Sequence, residues 1–218
     1  MNRTTDGAAF WDRLAPRYSR MPIKDEAAYQ HKLAVTQSHF RKDMAVLEFG
    51  CGTGSTALLH APHVRSILAT DLSEKMLEIA REKARHAGVT NVTFEKASFE
   101  TLRAEDEGFD AVLGLSILHL LADLDGALHK VYRLLKPGGR FFSSTVCIGE
   151  MGVVTRLALP MATWLGLAPQ VNELRAGEIA ESLERTGFAI DYTWRPRPGS
   201  PVFIVARKPG ADAPPGSL

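Results

Sequence analysis

The 218-residue chain has the length of one large domain, and its 45% hydrophobic and 23% charged content is that of an ordinary globular protein. Twenty-six Lys and Arg residues against 25 Asp and Glu residues leave a net charge of +1, which excludes a globally basic surface for nucleic acid. Two cysteines exclude a disulfide framework and a four-thiolate zinc site. No apolar run opens the chain, so we expect no signal peptide and a cytoplasmic protein.

The N-terminal region is predicted to be helical. Phe10, Trp11, Leu14 and Tyr18 recur at helical spacing. The acidic residues at 25–26 suit the first turn of a second helix, where negative charge favours the positive end of the helix dipole. We therefore expect a helical N-terminal cap over residues 1–43.

From Met44 onward, short apolar runs alternate with helical segments. Such alternation predicts an α/β fold, a doubly wound, Rossmann-like parallel sheet with helices on both faces. Ser73 is a suitable N-cap and Gly88 a suitable C-terminal glycine for the second of these helices. The predicted strands cover 45–49, 66–70, 92–95, 109–115 and 140–145, and the predicted helices begin at 55 and 73 and cover 123–135, the last ended by 136–139.

The C-terminal third contains an apolar insert over residues 150–175. Arg156 and Pro160 interrupt it, so it does not predict a membrane-spanning helix. Three readings stay open: a lid over the site, a helix buried against the sheet, or a dimer interface. A helix is predicted at 176–186, and the strands 188–194 and 202–206 are predicted to pair antiparallel at the sheet edge. The core thus spans 44–207, followed by a disordered tail at 208–218.

The most informative motif lies between the first strand and the helix after it, where glycines occupy positions 50, 52 and 54. Glycines let the backbone turn tightly and approach a ligand closely. A dinucleotide-binding loop would have its third glycine at Ser55, and a P-loop would continue with Gly-Lys. Asp71 ends the second strand, where a carboxylate can bind both hydroxyls of a ribose. The alternative for Asp71 is a helix cap.

Four motifs in this order resemble the class I S-adenosylmethionine-dependent methyltransferases, and in particular the type found in ubiquinone and menaquinone biosynthesis. They are residues 46–54, 69–76, 109–112 and 133–139, and the resemblance covers about 44–145. It implies a seven-stranded sheet whose last strand is antiparallel, with S-adenosylmethionine as the cofactor.

The resemblance also implies where the cofactor binds. The glycine loop would hold its methionine part, Asp71 its ribose, and residues 97–99 its adenine, although Ser98 stands where the family often has an acidic side chain. Tyr18 matches an N-terminal tyrosine that closes over the cofactor in relatives. The implied cofactor-binding residues are Tyr18, Glu48, Gly50, Cys51, Gly52, Thr53, Gly54, Asp71, Leu72, Met76, Ala97, Ser98, Phe99, Leu115 and Ser116.

Methyl transfer from a sulfonium is a direct displacement, so it needs no protein nucleophile. A base helps only where the acceptor must lose a proton. His119, just beyond the fourth strand, is the leading candidate, and its alternative is a packing residue. Tyr18, Tyr29 and Glu150 are weaker candidates, and Cys51 is assigned no catalysis. We expect His60 and His63 to be surface residues and predict no metal site.

The sequence thus predicts methyl transfer to a small, apolar or aromatic metabolite bound between 1–43 and 150–175. Neither nucleic acid binding nor stable membrane insertion is expected, and a homodimer stays open. The segment Leu115-Ser116-Ile117-Leu118 lacks the Asp/Asn-Pro-Pro-aromatic signature of base-methylating enzymes. Ser55 disfavours a nicotinamide dehydrogenase. The alternatives are a non-catalytic cofactor-binding module and a methyltransferase acting on a macromolecule. The methylated atom, O, N, S or C, is not specified.

Overall fold

The computed structural model describes residues 3–165 and 168–210. Within them, strands and helices alternate through the core, as the sequence predicts. The strands are β1 Ala45–Phe49, β2 Ser66–Asp71, β3 Val92–Lys96, β4 Phe109–Leu115, β5 Leu135–Thr145, β6 Ala189–Trp194 and β7 Val202–Arg207. The α-helices are α1 Arg3–Tyr18, α2 Glu26–Ser38, α3 Ser55–His60, α4 Glu74–Ala87, α5 Leu124–Leu134, α6 Val153–Trp164 and α7 Ala176–Thr186.

All seven strands form one sheet in the order β3-β2-β1-β4-β5-β7-β6. The pairs among β1 to β5 are parallel, whereas β7 runs antiparallel to both of its neighbours. The seven-stranded sheet with an antiparallel last strand is therefore confirmed, as is the pairing of the two C-terminal strands. Because β1, β2, β4 and β5 are parallel, their carboxyl ends meet at one edge, where ligands bind in doubly wound sheets.

Helices cover both faces of the sheet, and each face has its own apolar core. Along β5, Phe141 packs into one core and Phe142 into the other, since neighbouring side chains of a strand alternate between faces. All five residues of β1 are buried, as expected for a central parallel strand. Burying one such large side chain stabilises the fold by about 1.5–3 kcal/mol.

The predicted boundary between α5 and β5 is wrong. The helix ends at Leu134 and the strand begins at Leu135, so residues 136–139 lie inside β5 as an irregularity in its pairing with β4. The distant residue Lys208 explains the difference, because its carbonyl accepts a bond from Gly138 N at 2.9 Å and its amide donates to Gly139 O at 2.9 Å. Lys208, the first residue of the predicted tail, is buried, and residues 211–218 of that tail lie outside the described residues.

The two N-terminal helices are fastened to the core near the carboxyl edge of the sheet. Asp12 on α1 accepts bonds from Ser73 Oγ at 2.6 Å and from Lys75 N at 3.1 Å, at the start of α4. Tyr29 on α2 shares a hydrogen bond of 3.2 Å with Thr56 on α3. The region predicted as a helical cap, residues 1–43, thus contains two helices, and both contact elements that border the predicted cofactor site.

Helix α6 and its C-cap residue, Leu165, carry a row of exposed apolar side chains. They repeat every four residues and are 67%, 74%, 66% and 55% exposed at Val153, Leu157, Met161 and Leu165. For these four side chains the reading of a helix buried against the sheet is wrong. An ion pair of 2.6 Å between Arg156 and Glu173 joins α6 to the segment that follows it. Among the described residues, no helix combines the length and apolar character needed to cross a membrane.

Candidate functional site

The three glycines of the loop after β1 all adopt left-handed backbone conformations, with φ of 66°, 54° and 71° at Gly50, Gly52 and Gly54. Two of them also allow close packing. A Cβ at Gly50 would lie 2.7 Å from Ile117 Cδ1, and one at Gly54 would lie 2.8 Å from Ala80 Cβ. At Gly52 the nearest atom would be 3.9 Å away. Gly52 therefore borders open space, which leaves its backbone accessible to a ligand.

Asp71 is bound directly to this loop. Its Oδ2 accepts a bond from Gly52 N and its Oδ1 one from Ser73 N, each at 2.9 Å. Burial raises its pKa, although these backbone bonds favour the ionised form. The helix-cap alternative does not apply, because Ser73 Oγ caps α4 by accepting from Met76 N. Each carboxylate oxygen keeps a lone pair, so Asp71 can still accept bonds from two hydroxyls.

Glu48 places a second carboxyl group beside the loop. It is only 3% exposed, and its Oε2 is buried without a hydrogen-bond partner among the described residues. Burial, and secondarily the nearby Asp71, raise its pKa to about 8. Removing two neighbouring carboxyl groups from water disfavours their ionisation. A bound cationic group with N–H donors would satisfy Oε2 and restore the charge.

Tyr18, at the end of α1, lies over the open side of the loop, since its Cε1 is the atom nearest to a Cβ at Gly52. Its ring packs edge-on against Trp11, with centroids 6.3 Å apart. Partial burial and the charge of Asp71 raise the pKa of its hydroxyl. The structure thus brings Tyr18, the glycine loop and Asp71 together, as the resemblance implies.

The residues expected near the adenine are only partly brought to this edge. Ala97 N donates to Asp71 O at 3.1 Å, so residues 97–98 border the end of β2. Phe99 instead stacks on Phe49 in the core, with ring centroids 4.0 Å apart. Met76 is 2% exposed, whereas Leu72 is partly exposed. The side chains of Phe99 and Met76 are therefore taken up by the core.

The end of β4 and the residues that follow it lie beside the glycine loop. Leu115 is partly buried, and Ser116 has a φ of 59° and donates its N–H to Ser144 O at 2.6 Å. His119 follows, and its Nδ1 is buried without a partner among the described residues. Burial lowers the pKa of its imidazole to about 4. Its carbonyl accepts a bond from Asn172 N at 2.7 Å, which joins the segment after α6 to this edge.

Two charged residues that support the site were not predicted. Lys83 Nζ donates to Thr53 Oγ1 and to Ser55 Oγ, both at 2.9 Å, and so holds the loop from behind. The sequence contained one indication of this role, because Lys83 is a charged residue one turn after Ala80, on the apolar side of α4. Asp12, which binds the start of α4, carries no such signal, because its partner lies 61 residues away.

Burial contradicts one minor sequence prediction and bears on a second residue of the loop. His60 is 1% exposed and packs edge-on against Phe40 at 5.1 Å, so its assignment to the surface was wrong. Burial lowers the pKa of its imidazole to about 4. Cys51 N donates to Thr70 O at 3.0 Å, and burial raises the pKa of the Cys51 thiol, which disfavours the reactive thiolate. Within residues 3–165 and 168–210, no three His, Cys, Asp or Glu side chains gather as a metal site.

Comparisons with known proteins identify methyltransferases as relatives of this chain. A family model described as a methyltransferase domain matches residues 46–139. The chain is similar to an uncharacterized methyltransferase of Bacillus subtilis, YcgJ, with 34% identity over 109 residues, which is 50% of this chain and 43% of that protein. The crystal structure of YcgJ superposes with a TM-score of 0.68 at 21% identity and covers 83% of this chain and 99% of that chain. This likeness confirms the fold.

Two further relatives are aligned over greater lengths. A demethylmenaquinone methyltransferase of Symbiobacterium thermophilum is 30% identical over 169 residues, which is 71% of this chain and 67% of that protein. A ubiquinone biosynthesis O-methyltransferase of Sinorhizobium fredii is 30% identical over 198 residues, or 84% of this chain and 78% of that protein. The chain thus spans less than half the length of YcgJ in sequence alignment but more than two thirds of the Sinorhizobium protein.

Proposed function

Because this chain belongs to the class I S-adenosylmethionine-dependent methyltransferases, we propose that it transfers the methyl group of S-adenosylmethionine to a small apolar or aromatic metabolite. The observation that supports this best is the direct bond between Gly52 of the glycine loop and Asp71. It joins the two expected cofactor-binding elements at the carboxyl edge of the sheet.

The residues present fit the cofactor. Asp71 retains an acceptor on each oxygen for the two ribose hydroxyls. The unpartnered Glu48 Oε2 suits the amino group of the methionine part. Gly52 opens onto free space, where a side chain would obstruct the ligand. S-adenosylmethionine, when bound, supplies a methyl group activated by its sulfonium.

The chain's own residues supply position and protection from water. Tyr18 covers the loop from α1, and Lys83 fixes the loop from behind. Direct displacement requires close and aligned reactants, which a fixed loop favours. His119 is the candidate base for an acceptor that must lose a proton. With a pKa of about 4, its imidazole is neutral near pH 7 and can accept one.

Two observations support the choice of acceptor. One relative is named a demethylmenaquinone methyltransferase and the other a ubiquinone biosynthesis O-methyltransferase, and both names support an aromatic or apolar acceptor. One of them is named an O-methyltransferase, so the names leave the methylated atom open. The exposed apolar row of α6, tied to the His119 segment through Asn172, supports a lid that closes over an apolar molecule. We place the enzyme in the cytoplasm, with neither nucleic acid nor stable membrane insertion.

A transfer assay tests this function. The chain is incubated with S-adenosylmethionine labelled in its methyl group and a panel of phenols, quinols and aromatic acids, with Asp71→Ala as the control. We expect label in at least one small acceptor with the wild-type chain and far less with the variant. Binding of the cofactor without transfer to any acceptor would favour the alternative of a non-catalytic binding module.

A further inference from the structure

Lys32, on α2, presents an ammonium group to the carboxyl edge of the sheet. Its Nζ donates to Ser144 Oγ, near the end of β5, at 3.2 Å. The residue is partly buried, and burial lowers the pKa of its ammonium group. Among the described residues, none of the ion pairs includes Lys32. Its one hydrogen-bond partner in that part of the chain is therefore a neutral hydroxyl.

The sheet register places this ammonium group beside the site already described. Glu48 pairs with Leu113 across β1 and β4, and Leu115 pairs with Ser144 across β4 and β5. Glu48 lies two residues after Val46, and Ser144 two residues after Phe142. Since residues two apart in a strand share a face, Glu48 and Ser144 lie on the face covered by the core that contains Val46 and Phe142. Both therefore point to the α2 face of the sheet, with the end of β4 between them.

Helix α2 packs over this region and contributes two polar side chains one turn apart, Tyr29 and Lys32. Tyr29 binds Thr56 beside the glycine loop, and Lys32 binds Ser144 beside the end of β4. The polar row thus extends from the expected cofactor site to the adjoining strand. The expected cofactor site includes Glu48, at one end of this row. No expected ligand explains Lys32, at the other end.

Lys32 loses part of its contact with water, and the more a lysine is buried, the more its charge needs an anionic partner. Asp25 is the carboxylate that acts on Lys32, and it is already engaged as the cap of α2 and in a pair with Arg197 at 3.7 Å. A purely structural tie to Ser144 would be served by an uncharged donor at lower cost of desolvation.

We propose that Lys32 binds an ionised oxygen of the acceptor, so that the preferred acceptors are apolar molecules that carry a carboxylate or an acidic phenol. This inference rests on the proposed function and makes the acceptor class more specific. Two of the three ammonium N–H donors remain for the ligand once Ser144 is bound. An anionic oxygen there also offsets the positive charge that the cofactor brings to the same edge.

Two probes of the same shape but different charge test the proposal. The chain is saturated with S-adenosylhomocysteine, the demethylated product, and binding of 2-naphthoate and of neutral 2-naphthamide is measured by calorimetry. The variants are Lys32→Met and Lys32→Arg. Lys24→Met is the matched control, because Lys24 is an exposed lysine just before α2.

We expect the wild-type chain to bind naphthoate at least about tenfold more tightly than naphthamide, as a charge-assisted hydrogen bond provides. Lys32→Met should abolish that preference with little change for naphthamide, Lys32→Arg should retain part of it, and Lys24→Met should retain all of it. Equal binding of the two probes, no binding of naphthoate, or an unchanged preference in Lys32→Met would each overturn the proposal. Absence of S-adenosylhomocysteine binding to the wild-type chain would instead refute the proposed function.

Discussion

Replacing Glu48 by glutamine should stabilise the unliganded protein, and increasingly so as the pH rises. Glu48 is buried beside Asp71 without a partner for Oε2, and its pKa is raised to about 8. In the unfolded chain the same carboxyl ionises near its ordinary value of 4.5. Between these two values the folded state holds a proton that the unfolded state has released, so stability falls as the pH increases. Glutamine has no such proton and removes the dependence.

The size of the effect follows from the two pKa values. A rise from 4.5 to about 8, at about 1.36 kcal/mol per pH unit, sets an upper limit of about 5 kcal/mol. The amide group of glutamine also needs hydrogen-bond partners, and local relaxation reduces the penalty on the carboxyl. We therefore expect Glu48→Gln to gain at least about 2 kcal/mol over the wild type between pH 5 and pH 8.

Urea unfolding at pH 5 and pH 8, without cofactor, measures this difference directly. Glu95→Gln is the control, because Glu95 is an exposed glutamate on β3 and its replacement should not alter the pH dependence. Glu48→Gln should also weaken binding of S-adenosylhomocysteine, whose amino group loses a charged partner. A difference in unfolding free energy between wild type and variant that is the same at both pH values would contradict the raised pKa of Glu48.

Three further predictions concern the loop and its neighbours. Asp71→Ala should weaken S-adenosylhomocysteine binding by about 1.5–3 kcal/mol, measured by calorimetry, and an unchanged affinity would remove Asp71 from the site. Gly52→Ala should lower the free energy of unfolding by only about 1–2 kcal/mol, through backbone strain. It should nevertheless weaken binding of S-adenosylhomocysteine. Gly54→Ala should lose more stability in urea, because its Cβ also meets Ala80 at 2.8 Å; equal losses would contradict this. As the candidate base, with a pKa of about 4 in the unliganded protein, His119 should give kcat/KM a plateau above about pH 5. His119→Gln should lower that plateau about 100-fold or more, whereas a change below about threefold would assign His119 to packing.

The fold was largely predictable because the sequence carries its periodicity locally. The strand over 45–49, the helix over 176–186 and the cap at Ser73 depend on residues a few positions apart, and all three agree with the structure. The start of β5 was not predictable in this way. Its residues 136–139 resemble a helix stop, and their pairing is decided by Lys208, about seventy positions further along.

The site shows the same division. The glycine loop and Asp71 are recognisable because their residue types and spacing are set by close approach to a ligand. Phe99 was expected beside the adenine, but its neighbour Phe49 draws its ring into the core. Lys32 was missed because a single lysine in a helix carries no motif. Its significance comes from Ser144, 112 positions away, and from the lack of a paired carboxylate among the described residues.

Calorimetric titration of the wild-type chain with S-adenosylmethionine and S-adenosylhomocysteine measures whether the glycine loop and Asp71 form a cofactor site, with Asp71→Ala as the control. We expect saturable binding of both compounds to one site per chain, and a clear loss of affinity in the variant. Absence of binding to the wild-type chain, or equal binding to the wild type and to Asp71→Ala, would contradict the assignment of this site.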